Sequence, residues 1–456
     1  MPPLYRVIRS LVRFMVALFY RRVDVVSLER VPPAGPVILA ANHQNALVDA
    51  MLLLAVLPRA LTFLSKAPLF RHPIIAPFLW LLGAVPVHRR QESGDDPARN
   101  EAMFRAAGEA LRRGDAILIF PEGLSQPDPV LMPLRTGTAR ILLAAEAGAP
   151  GGAGVVLVPV GLFFHEPGAF RTGWALVLFG EPVETRDLVA LAATRPEESV
   201  RQLTARLAQA LAALMVEVES RHTLRLVEAA EAIWREELPE AARDAAARLE
   251  WRQRAARAYR HLLAKNPARI AQARSQLERY AKDLEAAGLS GRQLGREYTP
   301  AVVAGYAFRQ TAVLALGLPL ALWGLLNHAP AYWLTRVTVR LMRPEPDEEA
   351  TYKLAAGLVL YPLVWLAEAW TAWRWGGGWL LVVYLVAVLP TGFFALSWAE
   401  RLSRVAREAR GFFRFLVDRD LHRHLRDRRR ALMAEFRALL AQVPEDVLAG
   451  RGEGAA

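Results

Sequence analysis

Two stretches of this sequence set reactive side chains immediately behind apolar runs. In Val37-Ile38-Leu39-Ala40-Ala41-Asn42-His43-Gln44-Asn45-Ala46-Leu47-Val48-Asp49 a run with the character of a buried strand ends on a histidine, and a carboxylate follows shortly after. Neutral imidazole accepts a proton from an alcohol, and a carboxylate beside it fixes the tautomer and stabilises the cation formed. A structural histidine near an acid looks the same in sequence. In Ile117-Leu118-Ile119-Phe120-Pro121-Glu122-Gly123-Leu124-Ser125 a second run ends in a turn holding Glu122 and Gly123. Beyond it, Pro133-Leu134-Arg135-Thr136-Gly137-Thr138-Ala139-Arg140 puts a glycine, hydroxyls and two arginines at the mouth of a helix, where a phosphate could be held. A helix capped by Thr136 would present the same residues.

The surrounding pattern supplies elements to position these groups. Candidate strands are Pro36 to Ala41, Leu61 to Ser65, Ala84 to His88, Ala116 to Phe120, Val155 to Phe164 and Trp174 to Phe179. Helix-like pieces alternate with them at Asn45 to Val56, Ile74 to Leu82, Arg99 to Arg112 and Thr138 to Glu146. Strand alternating with helix predicts an α/β domain with a mixed, mostly buried sheet flanked by helices, in which function collects where strands end. The expected extent is residues 22–190. Residues 195–300 are rich in Ala, Leu, Arg and Glu at helical spacing and form an all-α region.

These residues resemble the glycerophospholipid acyltransferase superfamily, whose members esterify a hydroxyl of a glycerol phosphate with an acyl group from a thioester. Four blocks match in order: Asn42-His43 with Asp49; Gly83-Ala84-Val85-Pro86-Val87-His88-Arg89; Phe120-Pro121-Glu122-Gly123; and the Val158-Pro159-Val160 strand. The stretches Phe120 to Arg140 and Asn42 to Leu52, together with an apolar region after the catalytic domain, look most like the fungal-type glycerol-3-phosphate or dihydroxyacetone-phosphate acyltransferases and their bacterial relatives. The resemblance implies direct transfer, with His43 as base and Asp49 supporting the imidazolium. It assigns the phosphate to Arg89, with Glu122 and Gly123 shaping the pocket and Lys66, Ser125 and Arg135 as further substrate-binding candidates; for Ser125 a hydroxyl that stabilises the turn is the alternative. The acceptor is glycerol 3-phosphate or dihydroxyacetone phosphate, or in a close rival lysophosphatidate; the donor is acyl-CoA or acyl-carrier protein as co-substrate. Most of that superfamily places four residues between its His and Asp, whereas five intervene here. On a continuous helix the extra residue would turn the carboxylate by about 100°. His43 is therefore expected in the loop before the helix, with the extra residue absorbed at Gln44 or Asn45; failing that, Asn42 or Asn45 would orient the ring.

The composition narrows the chemistry further. Of 456 residues none is cysteine, which excludes disulfides, Cys-zinc sites and thiol nucleophiles. No G-x-S-x-G elbow is present either, consistent with transfer that forms no acyl-enzyme. His72, His165, His222, His261, His328, His422 and His424 lack metal-pair spacing, so neither a metal nor any other cofactor is expected. The chain is 53% hydrophobic yet 22% charged, with a net charge of +12 carried almost wholly by Arg. This suggests a globular part joined to a membrane-embedded part.

Membrane-embedded helices are expected over residues 308–400, from Thr311 to Leu326, Leu354 to Trp370 and Trp379 to Trp398; the last two approach the roughly 20 residues that cross a bilayer. Their short Gly-rich connection predicts a hairpin over about 354–398. Thr311 to Leu326, divided by Pro319, is expected to lie re-entrant or in the interface. Buried helices of a soluble domain would pass the same test. The arginines of the basic tail, residues 401–456, place that tail and the catalytic domain on the cytoplasmic face by the positive-inside rule, against anionic headgroups of the bilayer rather than nucleic acid. At the N-terminus, residues 1–21 read as an amphipathic helix. Leu4, Ile8, Leu11, Met15 and Leu18 lie on one side and Arg6, Arg9 and Arg13 on the other, suited to the bilayer interface or to packing on the domain. A reading from another class is a non-enzymatic membrane scaffold; His43, Asp49, Arg89 and Glu122, all intact, argue against it.

Overall fold

The computed structural model describes residues 3–66, 70–71, 76, 80, 84–87, 97–166, 168–171, 173–216, 218, 220–235, 245–287, 300–417 and 419–449. The chain divides into two compact units: Met1–Arg221 with Pro344–Tyr352, and His222–Arg343 with Lys353–Ala456.

The first unit is built on a seven-stranded sheet of β1 (Arg22–Val26), β2 (Val37–Ala41), β3 (Leu61–Lys66), β4 (Val85–Val87), β5 (Ala116–Ile119), β6 (Val156–His165) and β7 (Trp174–Phe179), in the order β1-β7-β6-β2-β5-β3-β4. Every neighbouring pair is parallel except β6 with β7, so the sheet is mixed. All five residues of β2 and all four of β5 are buried, as continuous apolar runs covered on both faces must be. Pro86, which has no N–H for a ladder, sits in β4 at the sheet edge, where that loss is tolerated. Arg22–Val26 is a strand that the sequence reading did not include; its short alternating run pairs with Trp174–Leu178 of β7. The helix expected over Ile74 to Leu82 falls mostly outside the described residues.

Helix α1 (Pro3–Phe19) packs on α2 (Ala46–Val56). Its buried residues are Tyr5, Ile8, Val12, Val16 and Phe19, while Leu4, Val7 and Phe14 point outward. The packed face is therefore rotated from the Leu4, Ile8, Leu11, Met15, Leu18 stripe, because Tyr5 and Phe19 supply larger apolar surface to the domain. The Tyr5 hydroxyl accepts the Leu61 amide at 2.8 Å and Arg9 Nε donates to the Leu54 carbonyl at 3.3 Å, locking the helix to the domain.

The unit runs past residue 190. Leu203, Leu207 and Leu211 of the helix Pro196–Leu214 are buried with Ile38, Ile117 and Leu157 of the sheet, so this helix belongs to the α/β core rather than to the helical region.

In the second unit, the helices Ala245–Lys265, Pro267–Ala287 and Arg419–Leu440 enclose two apolar clusters, one around Leu277, Tyr280, Leu425 and Met433, the other around Leu262, Ile270, Leu439 and Val443. The Arg419–Leu440 part of the basic tail is thus a docked helix. Arg269 bonds Glu435 at 2.9 Å and Arg428 pairs with Asp283.

Among the described residues two helices, with spans Ala304–Met342 and Glu349–Arg410, are long and apolar enough to cross a membrane. Pro319 and Pro330 lie inside one continuous helix, Pro300–Met342, which is longer than the stretch that hydropathy marks because polar residues flank the apolar part without breaking the helix. Gly377, at φ 68° and ψ −160°, splits Glu349–Val417 into two legs, a conformation open essentially to glycine alone. Tyr384 of one leg donates to Glu368 of the other at 2.6 Å. Gly324 lies so close to the second leg that a Cβ would sit 2.2 Å from the Thr391 carbonyl oxygen, the close backbone approach that small residues allow.

Candidate active site

The carboxyl ends of the parallel strands β2, β3 and β5 lie along one edge of the sheet, which brings together residues far apart in the chain. Asn42, fully buried, continues β2 by side-chain bonds: its Nδ2 donates to the Leu162 carbonyl at 3.0 Å and its Oδ1 accepts the Leu162 amide at 2.6 Å. His43 comes next, in the loop before α2. Asn45 at φ −142° and ψ 45° and Ala46 at φ 40° take up the extra residue between His43 and Asp49.

That loop is wound around one oxygen. Asp49 Oδ2 lies 2.8 Å from His43 Nδ1 and accepts the backbone N–H groups of Gln44 and Asn45 at 2.8 and 2.9 Å. Asp49 is wholly buried, so its carboxylate depends on these donors in place of water. Accepting from Nδ1–H assigns the ring's other nitrogen, Nε2, as the proton acceptor. Neither asparagine replaces Asp49, because Asn42 is spent on β6 and Asn45 Nδ2 donates to the Tyr20 hydroxyl at 2.8 Å. Burial first, then the nearby Asp49 charge, raises the Tyr20 phenol above its ordinary value, so it stays protonated.

The loop after β5 clamps His43. Glu122 Oε1 accepts the His43 amide at 2.8 Å and Oε2 accepts the Met132 amide at 2.9 Å; the Gln126 amide donates to the His43 carbonyl at 3.0 Å. Phe120 stacks on the imidazole with centroids 4.0 Å apart. The backbone on both sides of His43 and one face of its ring are thereby fixed. Burial raises the Glu122 carboxyl above its ordinary value, and the two N–H donors partly offset this.

Gly123 has φ +74°, and a Cβ there would lie 2.7 Å from Arg135 Nε. Arg135 therefore lies over Gly123 with its side chain exposed, and its amide bonds the Pro121 carbonyl at 2.8 Å.

Residues 22–162 match the family model described as Acyltransferase. This part of the chain is similar to that family. Among curated proteins, the chain is similar to the chloroplastic 1-acyl-sn-glycerol-3-phosphate acyltransferase BAT2 of Brassica napus, 32% identical over 133 residues, which are 29% of this chain and 36% of that protein. It is also similar to glycerol-3-phosphate O-acyltransferase 2 of Saccharomyces cerevisiae, 25% identical over 283 residues, covering 59% of this chain and 37% of that protein. The chain thus spans little more than a third of the length of these relatives. Among solved structures it resembles the 1-acyl-sn-glycerophosphate acyltransferase PlsC of Thermotoga maritima at 20% identity and a TM-score of 0.33, covering 44% of this chain and 78% of that one.

Within the first unit the structure brings His43, Asp49, Glu122, Gly123 and Arg135 together. Lys66 is the last residue of β3, in register with Val87, and its side chain lies outside the described residues. Arg89 lies outside them altogether, as do Gly83 and His88. The Ser125 hydroxyl donates to Asp347, as a residue holding the turn would. Sequence reasoning missed Phe120 as the ring's stacking partner, Tyr20 as the partner of Asn45, and Asp347. The first adjoins a motif and could have been found; the other two are joined to the site only by folding. Among the described residues no group of His, Asp and Glu is placed to hold a metal ion.

Proposed function

We propose that the protein transfers a fatty acyl group from an acyl thioester to the hydroxyl of glycerol 3-phosphate, or of its keto analogue dihydroxyacetone phosphate, giving lysophosphatidate or the corresponding acyl ketone phosphate. The observation that carries this reading is the 2.8 Å contact between His43 Nδ1 and Asp49 Oδ2, held in a loop whose backbone Glu122 and Gln126 fix. His43 Nε2 takes the proton of the acceptor hydroxyl while Asp49 stabilises the imidazolium. The oxygen attacks the thioester carbonyl, the new C–O bond forms, the C–S bond breaks, and the imidazolium proton passes to the departing thiolate. No protein nucleophile takes part. Arg89 binds the acceptor phosphate, with Arg135 and Lys66 adding positive charge and Glu122 and Gly123 shaping the loop.

The choice of acceptor is supported by the similarity to the yeast glycerol-3-phosphate O-acyltransferase, which extends over 59% of the chain. The higher identity of the shorter match to the plant 1-acylglycerol-3-phosphate enzyme, 32% over 133 residues, favours the alternative in which lysophosphatidate is the acceptor and phosphatidate the product. The two bilayer-length helices and the net charge of +12 support a location in a membrane with anionic headgroups, the catalytic domain on its cytoplasmic face.

Thiol release by the purified full-length chain, with acyl-CoA or acyl-carrier protein as donor and each of the three acceptors in turn, tests this. Glycerol 3-phosphate or dihydroxyacetone phosphate should support the largest kcat/KM. A preference for lysophosphatidate would establish the alternative, and release no higher than without acceptor in all three cases would remove both.

A further inference from the structure

The segment that joins the two bilayer-length helices, residues 343–348, is polar, and Asp347 is the one residue of 343–349 that is buried, at 3% exposure. It belongs to the first compact unit, whose second chain segment is Pro344–Tyr352. A carboxylate so placed requires a donor in place of water, and the Ser125 hydroxyl donates to it across 222 residues of sequence. Glu349, the first residue of the helix that follows, also lies close against Gly168: a Cβ on that glycine would lie 2.6 Å from Glu349 Oε2.

Ser125 immediately precedes Gln126, whose amide bonds the His43 carbonyl, and follows by three positions Glu122, which accepts the His43 amide. The residue that Asp347 holds therefore lies between the two contacts that fix the histidine backbone. A second tether, Arg221 Nε donating to the Pro127 carbonyl at 2.5 Å, acts on the same loop just beyond.

We propose that Asp347 is a positioning residue for the acyl-transfer site: through Ser125 it sets the loop that clamps His43, so the connector between the two apolar helices helps to hold the base in place. This rests on the acyl-transfer reading for its kinetic consequence, though not for its structural one. Losing the tether loosens the loop without removing a group that touches substrate, so it acts on kcat. Misplacement of a reacting group by an ångström costs up to about 100-fold, and partial loosening should cost about tenfold. The thioester KM should stay within about twofold. Asp347→Asn keeps a carbonyl oxygen for the Ser125 hydroxyl and should restore most of kcat.

The experiment compares wild type, Ser125→Ala, Asp347→Ala, Asp347→Asn and the double Ala variant as full-length chains, by steady-state kinetics and by hydrogen exchange of the His43, Gln126 and Met132 amides against the β6–β7 ladder. The proposal expects about tenfold lower kcat in both single Ala variants, no further loss in the double variant, rescue by Asn, and faster exchange confined to those three amides. Wild-type turnover with both single Ala variants within about twofold of it overturns the proposal, as does exchange that rises equally in the ladder, which marks general unfolding. If the wild type transfers no acyl group, the proposed function fails, and exchange alone still decides the tether: faster at the three amides supports it, unchanged refutes it.

Discussion

Replacing Asp49 by Asn is the sharpest probe of the proposed chemistry, since it changes one oxygen to nitrogen in a wholly buried side chain. Oδ2 accepts three hydrogen bonds at 2.8 to 2.9 Å, from His43 Nδ1 and the Gln44 and Asn45 amides. The asparagine carbonyl must occupy that position, because an amide NH₂ there would face two backbone donors. The loop and the ring tautomer are then kept, and what disappears is the negative charge opposite the imidazolium formed as the hydroxyl loses its proton. A hydrogen bond to a charged group contributes about 1.5 to 3 kcal/mol. At 1.36 kcal/mol per decade this is a loss in kcat of about tenfold to about 150-fold. Asp49→Ala differs in kind: it leaves the two buried amides of Gln44 and Asn45 without an acceptor, each costing about 1 to 3 kcal/mol, and should lower stability as well. The assay is thiol release at saturating donor and acceptor, with thermal unfolding of each variant in the same detergent. Asp49→Asn with more than half of wild-type kcat and unchanged unfolding would refute the assignment of His43 and Asp49 as base and supporting acid.

Other perturbations have equally definite outcomes. Burial raises the Glu122 carboxyl, so the folded state holds its proton more tightly than the unfolded chain; the stability it contributes is full below the ordinary carboxyl range and is lost as pH rises through the raised value. Against Glu122→Gln, which cannot titrate, the wild type should therefore gain in apparent Tm as pH falls through that window, and a constant difference would refute the shift. Gly123→Ala places a Cβ 2.7 Å from Arg135 Nε at a positive φ; it should cost about 1 to 2 kcal/mol of stability, read from thermal unfolding, and displace Arg135. Arg89→Ala should raise the acceptor KM at least about tenfold with the thioester KM unchanged, and equal effects on both would argue against phosphate binding there.

The sequence made much of the first unit legible. Runs such as Val37–Ala41 and Ala116–Ile119 are apolar throughout because both faces of a parallel strand are covered, and their ends mark where His43 and Glu122 emerge. Set against the four-residue spacing of the family it resembles, the spacing of His43 and Asp49 also led to the expectation that the extra residue is taken up before the helix, since a helix tolerates no insertion without rotating every later side chain. Less visible was β1, too short to stand out, and the place of Pro196–Leu214, whose amphipathic pattern states that one face is buried but not against what.

Residue types and local spacing, read with the family resemblance, thus marked the candidate base, its acid partner and the loop around Glu122 and Gly123, because those motifs depend on neighbours a few positions apart. Only tertiary structure decided which oxygen of Asp49 gathers the loop, that Glu122 binds the backbone of His43 from 79 positions away, and that Asp347 meets Ser125. Contacts between residues so far apart leave no period or motif in a single chain. They exist because the sheet brings its strand ends to one edge and buries polar groups there, which must find partners among whatever the fold has placed beside them.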